Sequence, residues 1–146
     1  MEQFKINNFL EDCPNSDFPE FMSLEPEICT KILQNLYLKI GLGRSQNSLK
    51  IFEKIHNRSD VVSKIKEPKD FILLNLLNEY KINHSEELLI NWYRFDDIDR
   101  LQAKNLSEFF EYLWYPAADD IEIFDDGLKW ILSIHHSGEV RLLKDF

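Results

Sequence analysis

The chain is predicted to be an α+β domain, with several helices packed on a C-terminal antiparallel β-meander. Apolar residues recur at helical spacing over positions 26–40 and 69–81. Short apolar alternations separated by turn signals fill the last thirty positions. Two of those turns, judged separately, place the same residues on one face, and agreement of that kind marks a consistent fold. With 146 residues and 44% apolar composition there is enough material for one core. The reading is a single domain over 1–146, with a loosely held N-terminal arm over about 1–24.

In chain order, residues 1–24 carry Pro14 and Pro19 among polar side chains and show no clear period, so they read as loop with at most a short extended piece. Ile28, Ile32, Leu33, Leu36 and Ile40 form a helical stripe; Pro26 suits its first turn and Gly41 its C′ position. Gly41-Leu42-Gly43 is a helix stop rather than a phosphate cradle, because Gln46 stands where the third glycine belongs and no strand precedes it. Leu49, Phe52 and Ile55 give a second helix over 47–57. Pro68 opens a third over 69–81, apolar around most of its circumference and therefore a core helix. Glu87 to Phe95 is rich in aliphatic and aromatic residues and reads as a strand. A polar linker follows, then a helix over 107–114 that Pro116 closes off.

The meander is read in more detail. Asp126-Gly127 signals a two-residue hairpin loop, setting Asp125 against Leu128, Ile123 against Trp130 and Ile121 against Leu132. His136-Ser137-Gly138 suits a three-residue loop with glycine in the left-handed position, setting Ile134 against Val140 and Leu132 against Leu142. Both turns put Ile121, Ile123, Trp130, Leu132, Ile134, Val140 and Leu142 on one face. The other face mixes Phe124, Ile131 and Leu143 with Asp120, Glu122, His135, Glu139 and Arg141. That mixture suits either a binding surface or a sheet partly covered by another segment.

The net charge of −9 is concentrated. From Phe95 to Asp126 ten acids face only Arg100 and Lys104, a net of −8; the other sixteen acids and fifteen bases leave −1. Such a balance repels nucleic acid and anionic membrane, and suits a basic protein partner. The N-terminus has no continuous apolar signal region, and the longest apolar run, Phe71 to Leu77, is too short to span a bilayer. Cys13 and Cys29 need not pair, so a cytoplasmic location with reduced thiols is expected.

No motif names a reaction. Asp119, Asp120, Glu122, His135 and His136 contain metal-ligand types, but the register separates them, since His135 and His136 alternate faces and Asp120 is set against Ser133. No metal and no cofactor are expected. Cys29, on a helix stripe beside Ile28, reads as packing. The aromatic run Phe109, Phe110, Tyr112, Trp114, Tyr115 has acidic rather than basic neighbours, unlike a nucleic-acid stacking platform. Tyr112, Trp114 and Tyr115 suit half-wet positions at a protein interface.

The segment YLWYPAADDIEIFDDGLKWILSIHHSGEVRLL, some thirty residues, resembles the C-terminal part of small, acidic, mostly uncharacterised bacterial proteins, a group that includes immunity proteins against secreted toxins. The shared pattern is an aromatic-Tyr-Pro, a small residue before Asp-Asp, an Asp-containing hairpin, a Trp strand and a His-x-Gly-type turn. The resemblance implies a small α+β protein-binding module and carries over no catalytic residue. The expected function is non-enzymatic: an immunity or inhibitor-type protein neutralising a basic toxin domain, such as a nuclease, by occlusion. Its binding residues are expected to be Asp119, Asp120, Glu122, Phe124 and Asp125, with Tyr112, Trp114 and Tyr115 beside them. Asp96, Asp97 and Asp99 join if the linker folds back. The alternatives are a metal-dependent enzyme with an acidic site, or a structural or regulatory subunit of a larger complex.

Overall fold

A computed structural model of the chain describes residues 1–43 and 48–146, without the side chains of Ser48 and Tyr93. The fold is α+β. Seven antiparallel strands form one sheet: β1 (Phe21–Ser23), β2 (Asp60–Lys64), β3 (Glu87–Tyr93), β4 (Asp97–Gln102), β5 (Ile121–Phe124), β6 (Trp130–Ile134) and β7 (Glu139–Lys144). Their spatial order is β1-β4-β3-β5-β6-β7-β2, so the expected meander β5–β6–β7 forms the middle of a wider sheet.

Helices cover both faces. On the first lie α4 (Leu73–Glu79), α5 (Ala103–Glu108) and α6 (Phe110–Leu113), with α1 (Gln3–Asp12) packed outside α6. Their apolar side chains meet Leu88, Ile90, Ile121, Ile123, Leu132, Ile134, Val140 and Leu142. The second face, where Phe124, Ile131 and Leu143 lie, is covered by α2 (Pro26–Lys39) and α3 (Ser48–Arg58) through Leu36, Tyr37, Ile40, Ile51 and Ile55. A sheet covered on both sides has little use for apolar/polar alternation, and every residue of β5 and β6 is buried.

Several elements differ from the sequence reading. Residues 3–12 are helical rather than loop, and α1 is held by Phe9, which meets the rings of Phe18, Phe109 and Tyr112 edge-on. The polar stretch after Phe95 is strand β4, pairing with β3 and β1. The helix expected over 69–81 is a 3₁₀ turn, Pro68–Asp70, then an extended Phe71-Ile72, then α4. The helix expected over 107–114 starts earlier and breaks at Phe109 into α5 and α6. Helix α2 ends where glycine was expected to end it, with Gly41 at φ +75°; Gln46, the missing third glycine, lies outside the described residues.

In the meander, β6 and β7 pair as expected, Ile134 with Val140 and Leu132 with Leu142, and Gly138 takes φ +84°. The β5–β6 register is shifted by two: Ile123 opposes Leu132, Ile121 opposes Ile134, and Glu122, not Asp120, opposes Ser133. The left-handed residue is Leu128, at φ +46°, rather than the Asp-Gly pair. That conformation costs about 1–2 kcal/mol. Burying the Leu128 side chain against the second core returns about 1.5–3 kcal/mol, so the wider loop wins. A shift of two preserves side-chain parity, and the expected apolar face stays intact.

Candidate functional site

Two of the carboxylates expected on an exterior face, Asp99 and Asp119, have ionic partners, because the fold brings cations to them from far along the chain. The Asp99 side chain is fully buried on the first face of β4, where it receives the Met1 α-ammonium at 2.5 Å, the Ser23 hydroxyl at 2.5 Å and the Trp92 indole N–H at 2.7 Å. Asp119 accepts Lys5 Nζ at 2.5 Å and the Tyr115 N–H at 2.9 Å. Lys5 is itself fully buried, donates to the Leu113 carbonyl at 2.7 Å and sits 4.6 Å from the Trp92 ring centroid. Phe124 and Trp114 are core residues, and the Trp114 indole donates to the Asp119 carbonyl at 2.9 Å. Asp125 is buried, and its Oδ1 has no partner among the described residues. An acidic exterior formed by Asp99, Asp119, Glu122 and Asp125 is therefore corrected: three of the four are buried, and Asp119 is neutralised by a buried lysine.

Tyr112 and Tyr115 are half-buried beside α1, on the helix-covered first face. The Tyr115 hydroxyl accepts from Asn8 Nδ2 at 3.1 Å. The Tyr112 hydroxyl lies 3.9 Å from Cys13 Sγ, a contact that, together with burial, pushes its pKa up to about 12. Glu122 and Phe124 point to the opposite face, so the aromatic and acidic candidates do not form one surface.

Asp96, Asp97 and Asp120 are the candidate carboxylates that remain exposed. The register gathers them: Asn91 opposes Glu122 and Tyr93 opposes Asp97, which brings the β3–β4 turn and the start of β5 to one end of the sheet. Asp120 there accepts the His136 backbone N–H at 2.7 Å and approaches His136 Nδ1 at 2.9 Å. At the other end Asp126 is held bidentately by Arg100, with both distances 2.8 Å.

Beside Asp120, between α3 and the second face of the sheet, opens a cleft of about 190 Å³. Its floor belongs to a polar row that crosses four strands, Asn91–Glu122–Ser133–Arg141, each residue facing the next in register. Asn91 Nδ2 donates to Glu122 Oε2 at 2.6 Å, while Asn91 Oδ1 accepts the Phe95 N–H at 2.8 Å. Arg141, at the far end of the row, donates to Ser59 and to the His56 carbonyl, which fixes the C-terminal end of α3. Ser133 is 5% exposed, and its Oγ finds no hydrogen-bond partner among the described residues. An unmet buried hydroxyl costs about 1–3 kcal/mol. Burial raises the Glu122 pKa from 4.5 to about 7, against the lowering effect of the Asn91 bond and with a further push from the Asp120 charge.

The cleft walls are Leu49, Phe52 and Ile55 of α3, and its rim carries His56, His135, Asp120 and Arg94. The His56 and His135 rings meet edge-on, 5.6 Å between centroids. Among the described residues no three His, Cys, Asp or Glu side chains are grouped so as to hold a metal ion, and no helix is long and apolar enough to cross a membrane. Sequence reasoning named Glu122 and Asp120 but missed Asn91, Ser133, Phe52, His56 and Arg94. The available signal was a single polar residue inside each of two apolar strands, Asn91 in LLINWY and Ser133 in WILSI. Comparison with protein-family models, curated proteins and solved structures yields no match to the chain.

Proposed function

We propose that the chain is a non-enzymatic protein-binding module of the immunity or inhibitor type, which neutralises a basic toxin domain by covering its substrate-gripping lysines and arginines. The observation supporting this reading is the unequal treatment of carboxylates at the two ends of the sheet. Asp126 is neutralised by Arg100. Asp96 and Asp97 are exposed, and no ion pair within 4 Å holds either among the described residues. With Asp120, which lines the cleft, they concentrate exposed carboxylates at this end of the sheet. A concentration of this kind raises the association rate of a basic partner and makes it salt-sensitive.

The test is capture of partners from native cells with this chain as bait, followed by titration of the purified partner. Charge reversal at all three positions, D96K, D97K and D120K, is expected to weaken binding at least tenfold and to flatten its salt dependence. The thermal midpoint should fall only by what the Asp120–His136 contacts contribute, which D120A measures separately, because all three side chains are exposed. A partner without a basic surface, or wild-type affinity in the triple variant, overturns the reading.

A further inference from the structure

We propose that the cleft under α3 receives one arginine side chain of the partner, its guanidinium seated on Glu122 and Ser133, flanked by Asp120 and laid against Phe52. The inference rests on the binding role proposed above and names the chemistry of its central contact. Volume limits the occupant first: about 190 Å³ is several times what one water needs, yet below the ~300–1,000 Å³ of clefts that hold cofactor-sized molecules. A single long side chain fits that range.

Polarity then selects the head group. Ser133, only 5% exposed, lines the cleft, and its Oγ, closed to solvent in the free chain, lacks a partner among the described residues, so a donor that enters and reaches it gains a bond without displacing one. The Glu122 carboxyl accepts one bond from Asn91 and has acceptor capacity beyond it. Acceptors at several angles beside an aromatic wall match a planar, weakly hydrated, five-donor guanidinium better than a compact ammonium. The charged and titratable groups facing Glu122 are Asp120 at the start of its own strand, His56 on α3, His135 after β6 and Arg94 in the β3–β4 turn. The neutral amide of Asn91 faces it from β3. A cation entering this set stabilises the ionised carboxylate and displaces its proton. Affinity is therefore expected to rise about tenfold from pH 6 to pH 8, across the range where the free carboxyl titrates.

The probe is N-acetylarginine amide, titrated into the isotopically labelled full chain, with the neutral isostere N-acetylcitrulline amide as control. Saturable shifts at Phe52, Glu122 and Ser133 are expected, at least tenfold weaker for the citrulline compound and at least fivefold weaker in E122Q and S133A. Equal binding of both compounds, shifts confined to other surfaces, or unaltered affinity in E122Q and S133A overturns the proposal. E122Q is isosteric and S133A removes only an unpaired hydroxyl, so both variants should fold. The two readings fail separately. Loss of partner binding in the triple variant, with E122Q and S133A as wild type, leaves the acidic end of the sheet standing and removes the arginine cleft.

Discussion

Lys5 Nζ and Asp119 Oδ2 lie 2.5 Å apart although 114 residues separate them in sequence, and the lysine side chain is fully buried. This pair joins α1 to the loop before β5, with the Trp92 ring and the Leu113 carbonyl completing the ammonium's surroundings. Burying two charges is expensive, but removing one of them from an established pair is worse, at about 3–5 kcal/mol. Lys5→Met should therefore lower stability by that amount in urea unfolding. The double variant Lys5→Met with Asp119→Asn should recover much of the loss, since the new side-chain amide oxygen can still accept the Tyr115 N–H. Single and double variants of equal stability would remove the pair's structural role.

Glu122 makes stability depend on pH in a direction opposite to a salt-bridged carboxylate. Its folded-state pKa lies above the ordinary value, 4.5 moving to about 7, chiefly because burial penalises the charge. Between those values the folded state keeps a proton that the unfolded chain has lost. This group's stabilisation is thus complete below about pH 4.5 and disappears as pH rises through 7. At 1.36 kcal/mol per pH unit the change is on the order of 3 kcal/mol. Glu122→Gln should remove that part of the pH dependence and leave the variant more stable than wild type at pH 8. Parallel stability–pH curves for the two proteins would contradict it.

Gly138 has no room for a side chain. It sits at φ +84° with its N–H bonded to the His135 carbonyl at 2.7 Å, and a Cβ there would collide with the Ile65 carbonyl oxygen. The Ile65 N–H in turn donates to the Gly138 carbonyl at 2.7 Å, which ties the end of β2 to the β6–β7 turn. Gly138→Ala should cost about 2–4 kcal/mol, combining backbone strain with overpacking. Thermal denaturation of the variant measures it, and an unchanged midpoint would contradict the collision.

The sequence was legible where local chemistry decides structure. Gly41 stops α2, Gly138 turns β6 into β7, and the alternation of Ile121, Ile123, Leu132 and Ile134 picks out a core face even with one hairpin register misplaced by two. It misled where partners are distant. Asp99 reads as an exposed linker residue until the Met1 ammonium, Ser23 and Trp92 surround it, and Asp119 reads as surface until Lys5 arrives from α1. The acidity of the 95–126 segment is real, but much of it is internal. Strand β4 was missed for a related reason: Ile98 and Leu101 bury on opposite faces, so no two-residue apolar period forms. Glu122 was named from the acidic cluster. Its pairing with Asn91 and Ser133 became visible only when three strands came into register.

The central claim is that the chain meets a basic partner at the end of the sheet that carries Asp96, Asp97 and Asp120, the last of which lines the cleft. Amide hydrogen exchange of the chain, free and saturated with its captured partner, tests this most directly. Added protection is expected over 94–97, 119–122 and 133–136 and in the last turn of α3, with α1 and α4 unchanged. Protection confined to α1, α4, α5 and α6, with those segments unaltered, would place the partner on the other face and contradict the account.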